Sequence, residues 1–260
     1  IAAALLTLLW VRSSTPRDAH ELQQVRANPL WARMLDDDLP IYVAVGDYYI
    51  FGELDAGSSR VGRLVRAFDI NSANELLQYL KNNPELADRY MDMSMNYLPT
   101  SVAFALRNVM PLLEPNRKGA RQVQVLLASD LKPNMVKSAH IIYVGLLSGM
   151  GVLRELVFSG SGFQIGETYD ELFDTRSQQH YVSQASLQRD ARNAFIDYGF
   201  VSSRTGADGN ELLVLAGTRD VALMHVAEAL TQAASLQALD QAAGAAYDIE
   251  ALYAVRGLDQ

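Results

Sequence analysis

The sequence predicts an α/β domain built on a mainly parallel sheet with helices on both faces, preceded by the remnant of a membrane-spanning helix. Three observations predict it. From residue 121 onward, short apolar runs alternate strictly with stretches of helical character, and strands alternating with helices imply parallel pairing under two helical layers. Several runs, such as IYVAVGDYYIF, are rich in β-branched and aromatic residues, as buried strands are. Finally, 260 residues with 49% hydrophobic and 20% charged side chains suffice for a real core and exclude wholesale disorder.

The chain opens with IAAALLTLLWV, apolar from Ile1 to Val11 and ending at Arg12. A spanning helix needs about 20 apolar residues and a signal-peptide core about 7–15. No small-x-small cleavage pattern follows, and Trp10 sits where interfacial aromatics collect. Residues 1–11 are therefore expected to be a truncated transmembrane segment, 12–38 a stalk and 39–260 the α/β domain. The expected placement is a single-pass membrane protein. Arg12 and Arg17 favour the cytoplasm for the flanking segment while long domains translocate regardless of flanking charge, so the side of the domain stays open, with the periplasm preferred.

Within the domain, IYVAVGDYYIF predicts a strand and GELDAGSSRVG a loop, with LVRAFDI a short strand. Asn71-Ser72 cap a helix over NSANELLQYLKNNPEL, and another follows from Thr100 to Leu113. Beyond residue 121 come strands at RQVQVLLASDL, HIIYVGL and GFQIGE, with helices at KPNMVKSA and SGMGVLRELVF between them. TYDELFD looks helical, HYVSQA reads as a short strand or turn, and a helix is expected around 187–198. DYGFVSS and NELLVLAG flank the turn Gly206-Ala207-Asp208-Gly209, a hairpin signal. TRDVALMHVAEALTQAASLQAL predicts one long amphipathic helix, and IEALYAVRG the last strand.

Composition narrows the chemistry. A net charge of -8 argues against a general nucleic-acid binder. The absence of cysteine removes disulfides, zinc-thiolate sites, Fe–S clusters and thiol nucleophiles. His20, His140, His180 and His225 show no metal-ligand spacing. Glu167, Asp170, Glu171 and Asp174 would share one face of a helix, more a solvated face than a metal site. No cofactor or metal is expected.

In open α/β sheets, ligands bind at the carboxyl ends of strands, where glycine permits close approach and helix N–H groups attract anions. That rule selects Asp47 and Tyr48 after the first strand, Ser129 and Asp130 after the second, and Ser148 and Gly149 after the third. It also selects Glu167 and Thr168, and then Thr218, Arg219 and Asp220. Arg219 opens a helix after a glycine, a position suited to a carboxylate or phosphate. Gly145-Leu-Leu-Ser148-Gly149-Met-Gly151 is similar to the cofactor loop of short-chain dehydrogenases. However, the Tyr-x-x-x-Lys pair of that family is missing, because every lysine precedes the loop. Gly46-Asp47-Tyr48 places tyrosine where lipase-like esterases have their serine, and no G-x-S-x-G elbow exists.

The apolar opening at Ile1–Val11 and the junctions VGDYY, LASD, YVGLLSG and LAGTRD together resemble extracytoplasmic sensor domains of single-span bacterial regulators, with a periplasmic-binding-protein-like α/β form. The resemblance lies in arrangement over residues 28–260. It implies a non-catalytic ligand-sensing or protein-interaction domain of a membrane-anchored signalling protein. Its expected partners are a small anionic molecule or another protein, the membrane through the amino-terminal helix, and a second copy in a homodimer; this part of the chain is expected to bind no nucleic acid. Two alternatives stand beside it: a membrane-anchored hydrolase or nucleotide-binding enzyme using Asp47, Asp130 and Arg219, and a structural subunit of a membrane assembly.

Overall fold

A computed structural model describes residues 19–113, 122–184, 194–243 and 248–258. The main sheet has six strands. In chain order these are β1 (Ile41–Val45), β5 (Val123–Leu127), β6 (His140–Leu146), β10 (Ala194–Thr205), β11 (Glu211–Gly217) and β12 (Ile249–Leu258). Their spatial order is β12-β10-β11-β6-β1-β5. The β11–β6, β6–β1 and β1–β5 pairs are parallel, whereas β10 runs antiparallel to both neighbours. Two separate three-stranded antiparallel sheets are inserted. One is β3-β2-β4, from β2 (Tyr48–Leu54), β3 (Val61–Val65) and β4 (Tyr90–Tyr97). The other is β7-β8-β9, from β7 (Phe163–Ile165), β8 (Glu171–Asp174) and β9 (Gln179–Val182).

The expectation of a mainly parallel sheet is thus corrected to a mixed architecture. The reason lies in connection length: parallel neighbours need a crossover of a dozen or more residues, whereas short turns can only reverse the chain. The β8–β9 and β10–β11 links are short turns, and in the second Gly209 sits at φ 79° while the Gly206 N–H donates to the Asn210 carbonyl at 2.7 Å.

Both faces of the central strands β1, β6 and β11 are buried, which is why they read as continuous apolar runs. On one face, Val43, Val45, Ile142, Val144, Leu213 and Leu215 pack under five helices. These are α1 (Ala19–Arg26), α2 (Pro29–Leu35), α4 (Thr100–Leu113), α7 (Asp220–Ala229) and α8 (Ala233–Ala243). On the other face, Ala44, Ile141, Tyr143, Val214 and Ala216 meet Leu153 and Val157 of α6 (Leu153–Phe158) and Leu172 of β8. Helix α5 (Pro133–Ser138) links β5 to β6 on this side. Helix α3 (Ala73–Asn82) covers the first inserted sheet: its Leu76 packs with Tyr49, Phe51 and Ile70. Its start follows the sequence signal, with the Ser72 hydroxyl accepting from the Glu75 N–H.

Three further expectations are corrected. Residues 19–35 are not a stalk: Val25, Trp31 and Met34 are fully buried in the core, and the Trp31 indole N–H donates to the Leu230 carbonyl at 2.8 Å. Glu171–Asp174 is a strand, so the four carboxylates do not line one helical face. The long helix after Thr218 is two helices, α7 and α8, parted where the Thr231 hydroxyl donates to the Ala227 carbonyl. The expected helix at 187–198 lies partly outside the described residues, and its end belongs to β10.

The single-pass membrane placement is overturned as well. Among the described residues no helix is long and apolar enough to cross a membrane; the longest, α4, has 14 residues. Residues 1–11, on which that placement rested, lie outside the described residues.

Candidate functional site

The parallel strands β1, β5, β6 and β11 end on the same edge of the main sheet, and the two inserted sheets rise on either side of it. Between them lies a cleft of about 690 Å³. Of the strand-end residues selected from sequence, the cleft gathers Tyr48, Ser148, Thr168, Thr218, Arg219 and Asp220. Asp47, Ser129, Asp130, Gly149 and Glu167 do not line it.

Those five have other surroundings. Asp47 is buried and saturated: it accepts from the Ser129 N–H at 3.0 Å, from the Ser129 hydroxyl at 2.8 Å and from the Asn96 amide. The carboxylate thereby ties the β1 end to the β5 end. Asp130 is exposed in the 3-10 turn after β5. The proposed catalytic trio of Asp47, Asp130 and Arg219 is therefore not assembled in the cleft. Glu167 borders a second depression of about 550 Å³ beside Glu171 and His180.

Gly149 packs against the Gly46 backbone. A Cβ on Gly145 would lie 2.5 Å from the Tyr143 hydroxyl and 2.8 Å from Gly46 Cα; one on Gly149 would lie 3.2 Å from Gly46 Cα. The Tyr143 hydroxyl, donating to the Leu146 carbonyl at 2.6 Å, occupies this space. These glycines admit a tyrosine ring and a neighbouring turn, not a pyrophosphate, which accounts physically for the dehydrogenase-like spacing.

The floor of the cleft is set by Asp197, fully buried on β10. It accepts from the Ser183 hydroxyl at 2.9 Å, the Thr218 hydroxyl, the Tyr198 N–H at 3.0 Å and the Ala222 N–H at 2.9 Å. The last bond satisfies a free N–H in the first turn of α7, and the set fixes Thr218-Arg219-Asp220 at the rim.

The walls are aromatic and carry two guanidinium groups. Tyr48 and Tyr97 stack with centroids 5.0 Å apart. Arg66 lies 5.3 Å from the Tyr48 centroid and 5.2 Å from the Phe68 centroid, sandwiched between the rings. Phe68 stacks in turn on Tyr169 at 6.4 Å, joining one inserted sheet to the other across the mouth. Arg66 donates to the Ala67 and Ile70 carbonyls and to Asn71 Oδ1, and Arg219 pairs with Asp170. In both arginines Nε is shut off from solvent with no hydrogen-bond partner. Unsatisfied buried donors are rare and costly, about 1–3 kcal/mol each.

Tyr48 and Ser148 share a hydrogen bond between their hydroxyls. Burial pushes the Tyr48 hydroxyl up to about 12, against the smaller opposing pull of that bond. Tyr48 thus stays protonated and gives Ser148 no base. No histidine borders the cleft, and among the described residues no group of three or more His, Cys, Asp or Glu could hold a metal ion.

Sequence reasoning missed Arg66, Phe68, Tyr97, Tyr169 and Asp170. They sit on or beside antiparallel insertions, where the strand-end rule for parallel sheets does not reach. The signal available was local: LVRAFD sets a cation beside an aromatic residue at a strand end.

Comparison of the chain with models of protein families, with curated proteins and with solved structures finds no match.

Proposed function

We propose that this domain is a non-catalytic ligand-sensing module of a regulatory protein, and that its ligand is a small molecule with an anionic group, bound in the cleft between the inserted sheets. The observation that carries the proposal is the pair of arginines, Arg66 and Arg219, lining one aromatic cleft. Guanidinium groups suit carboxylate and phosphate oxygens, and in a partly desolvated cleft such charge-assisted bonds are about twice as strong as neutral ones. The ring walls of Tyr48, Tyr97, Phe68 and Tyr169 supply apolar area with few rotatable bonds, as ligand pockets do. The cleft volume falls within the range of about 300–1,000 Å³ typical of small-molecule sites. The arrangement expected of periplasmic-binding-like sensor domains, polar residues gathered at strand ends, supports the same proposal.

The test is a thermal-shift screen of small carboxylates and phosphate esters on the purified domain. A ligand specific for the native state stabilises it by about 2.7 kcal/mol at a hundredfold excess over Kd. At least one compound is expected to raise Tm by several degrees, and Arg66→Ala and Arg219→Ala to weaken its binding at least tenfold. Hits that bind both variants as tightly as the parent protein would contradict the proposal.

A further inference from the structure

The charges around the cleft do not cancel pairwise. Arg219 is matched by Asp170. Arg66 bonds only to two backbone carbonyls and a neutral amide, and has no carboxylate partner among the described residues. Asp220 accepts from the Ser101 hydroxyl on one oxygen and has no cationic partner among the described residues. The cleft therefore presents one uncompensated guanidinium and one uncompensated carboxylate. Both residues line the same cleft as Tyr48, with the Arg66 guanidinium 5.3 Å from the centroid of that ring.

An anion alone would meet Arg66 but would also meet the open Asp220 carboxylate, and like charges held close disfavour binding. A cation alone would meet the reverse conflict. A molecule bearing both charges meets neither.

We propose that the cleft ligand is a small zwitterion, an α-amino acid or close relative, with its anionic end on Arg66, its ammonium end on Asp220 and its body against the Tyr48, Tyr97 and Phe68 rings. The proposal rests on the cleft being a ligand site, as argued above, and adds the cationic end.

The test is isothermal titration of the domain with the twenty standard amino acids, followed by the carboxylic acid and the amine that lack one end of the best binder. At least one amino acid is expected to bind tenfold or more tightly than either truncated relative. Asp220→Asn keeps an acceptor for Ser101; it should abolish the advantage over the acid. Arg66→Gln should abolish the advantage over the amine, and Arg66→Lys should restore part of it, with circular dichroism melts confirming that all three variants fold. If acids bind as tightly as amino acids and Asp220→Asn changes nothing, the zwitterion is overturned while the anion-sensing cleft stands. If no amino acid binds but an Arg66-dependent carboxylate or phosphate emerges from the thermal-shift screen, the zwitterion again falls alone. If neither experiment yields an Arg66-dependent ligand, both proposals fall.

Discussion

The Arg66 guanidinium lies 5.3 and 5.2 Å from the centroids of two rings, and its Nη atoms donate to two backbone carbonyls and Asn71, so its orientation is fixed before any ligand arrives. Such preorganisation lowers the entropy a ligand must overcome. Asp197 does the same for Arg219 and Asp220 without touching the cleft. It accepts four hydrogen bonds from three separate stretches of chain. Asp197→Ala would take away the acceptor of the buried Ala222 and Tyr198 N–H groups and break the bonds from the Ser183 and Thr218 hydroxyls. The expected loss is about 3 kcal/mol, from several broken bonds to a charged acceptor. For a chain of this size that lowers Tm by roughly 10 °C. A calorimetric Tm within 2 °C of the parent would contradict the role given to Asp197.

Elements carrying their own local signals were legible in the sequence. Helix α3 announces itself through Ser72 and Glu75, and the β10–β11 hairpin through Asp208-Gly209. Elements whose conformation is set by neighbours were not. TYDELFD has carboxylates at helical spacing, yet Leu172 is drawn into the core beneath the main sheet, and pairing with β7 and β9 makes the segment a strand. Residues 90–97 carry no clear strand signature, being MDMSMNY after a tyrosine, and become β4 only by pairing with β2. These two insertions matter for function because they carry the walls of the cleft. Reading the parallel core alone found the floor and one rim, Tyr48, Ser148 and Thr218–Asp220. Arg66, Phe68 and Tyr97 became visible only once β2, β3 and β4 had been paired.

At the scale of the molecule, five carboxylates sit in surroundings that favour their charged form. The Arg63 and Arg89 guanidiniums hold Glu53 below the ordinary carboxylate range, and the Ser94 N–H and Tyr49 hydroxyl do so for Asp92. His180 and the Glu167 N–H lower Glu171, and the Ser177 hydroxyl and Arg176 N–H lower Asp174. For Glu250, burial pushes upward but is outweighed by Ser161, the Gly162 N–H and Arg204. A carboxylate whose pKa is lower folded than unfolded contributes stability that is complete above its unfolded value, about 4. That contribution is lost as pH falls through the folded value. Stability is therefore expected to fall progressively from about pH 5 toward pH 2. Glu250→Gln should lower Tm at pH 7 and narrow the gap between pH 7 and pH 3. Thermal melts across that range check it, and a Glu250→Gln melt with an undiminished gap would contradict it.

The cleft as ligand site is the claim on which the functional account turns, and amide hydrogen exchange with and without the tightest-binding carboxylate or phosphate compound of the screen tests it most directly. The predicted result is slowed exchange concentrated in residues 66–70, 97–100, 168–170 and 218–220, the segments from both insertions and the β11–α7 loop that close around the cleft. Protection confined instead to the depression beside Glu167 and His180, with those four segments exchanging as in the free protein, would contradict it.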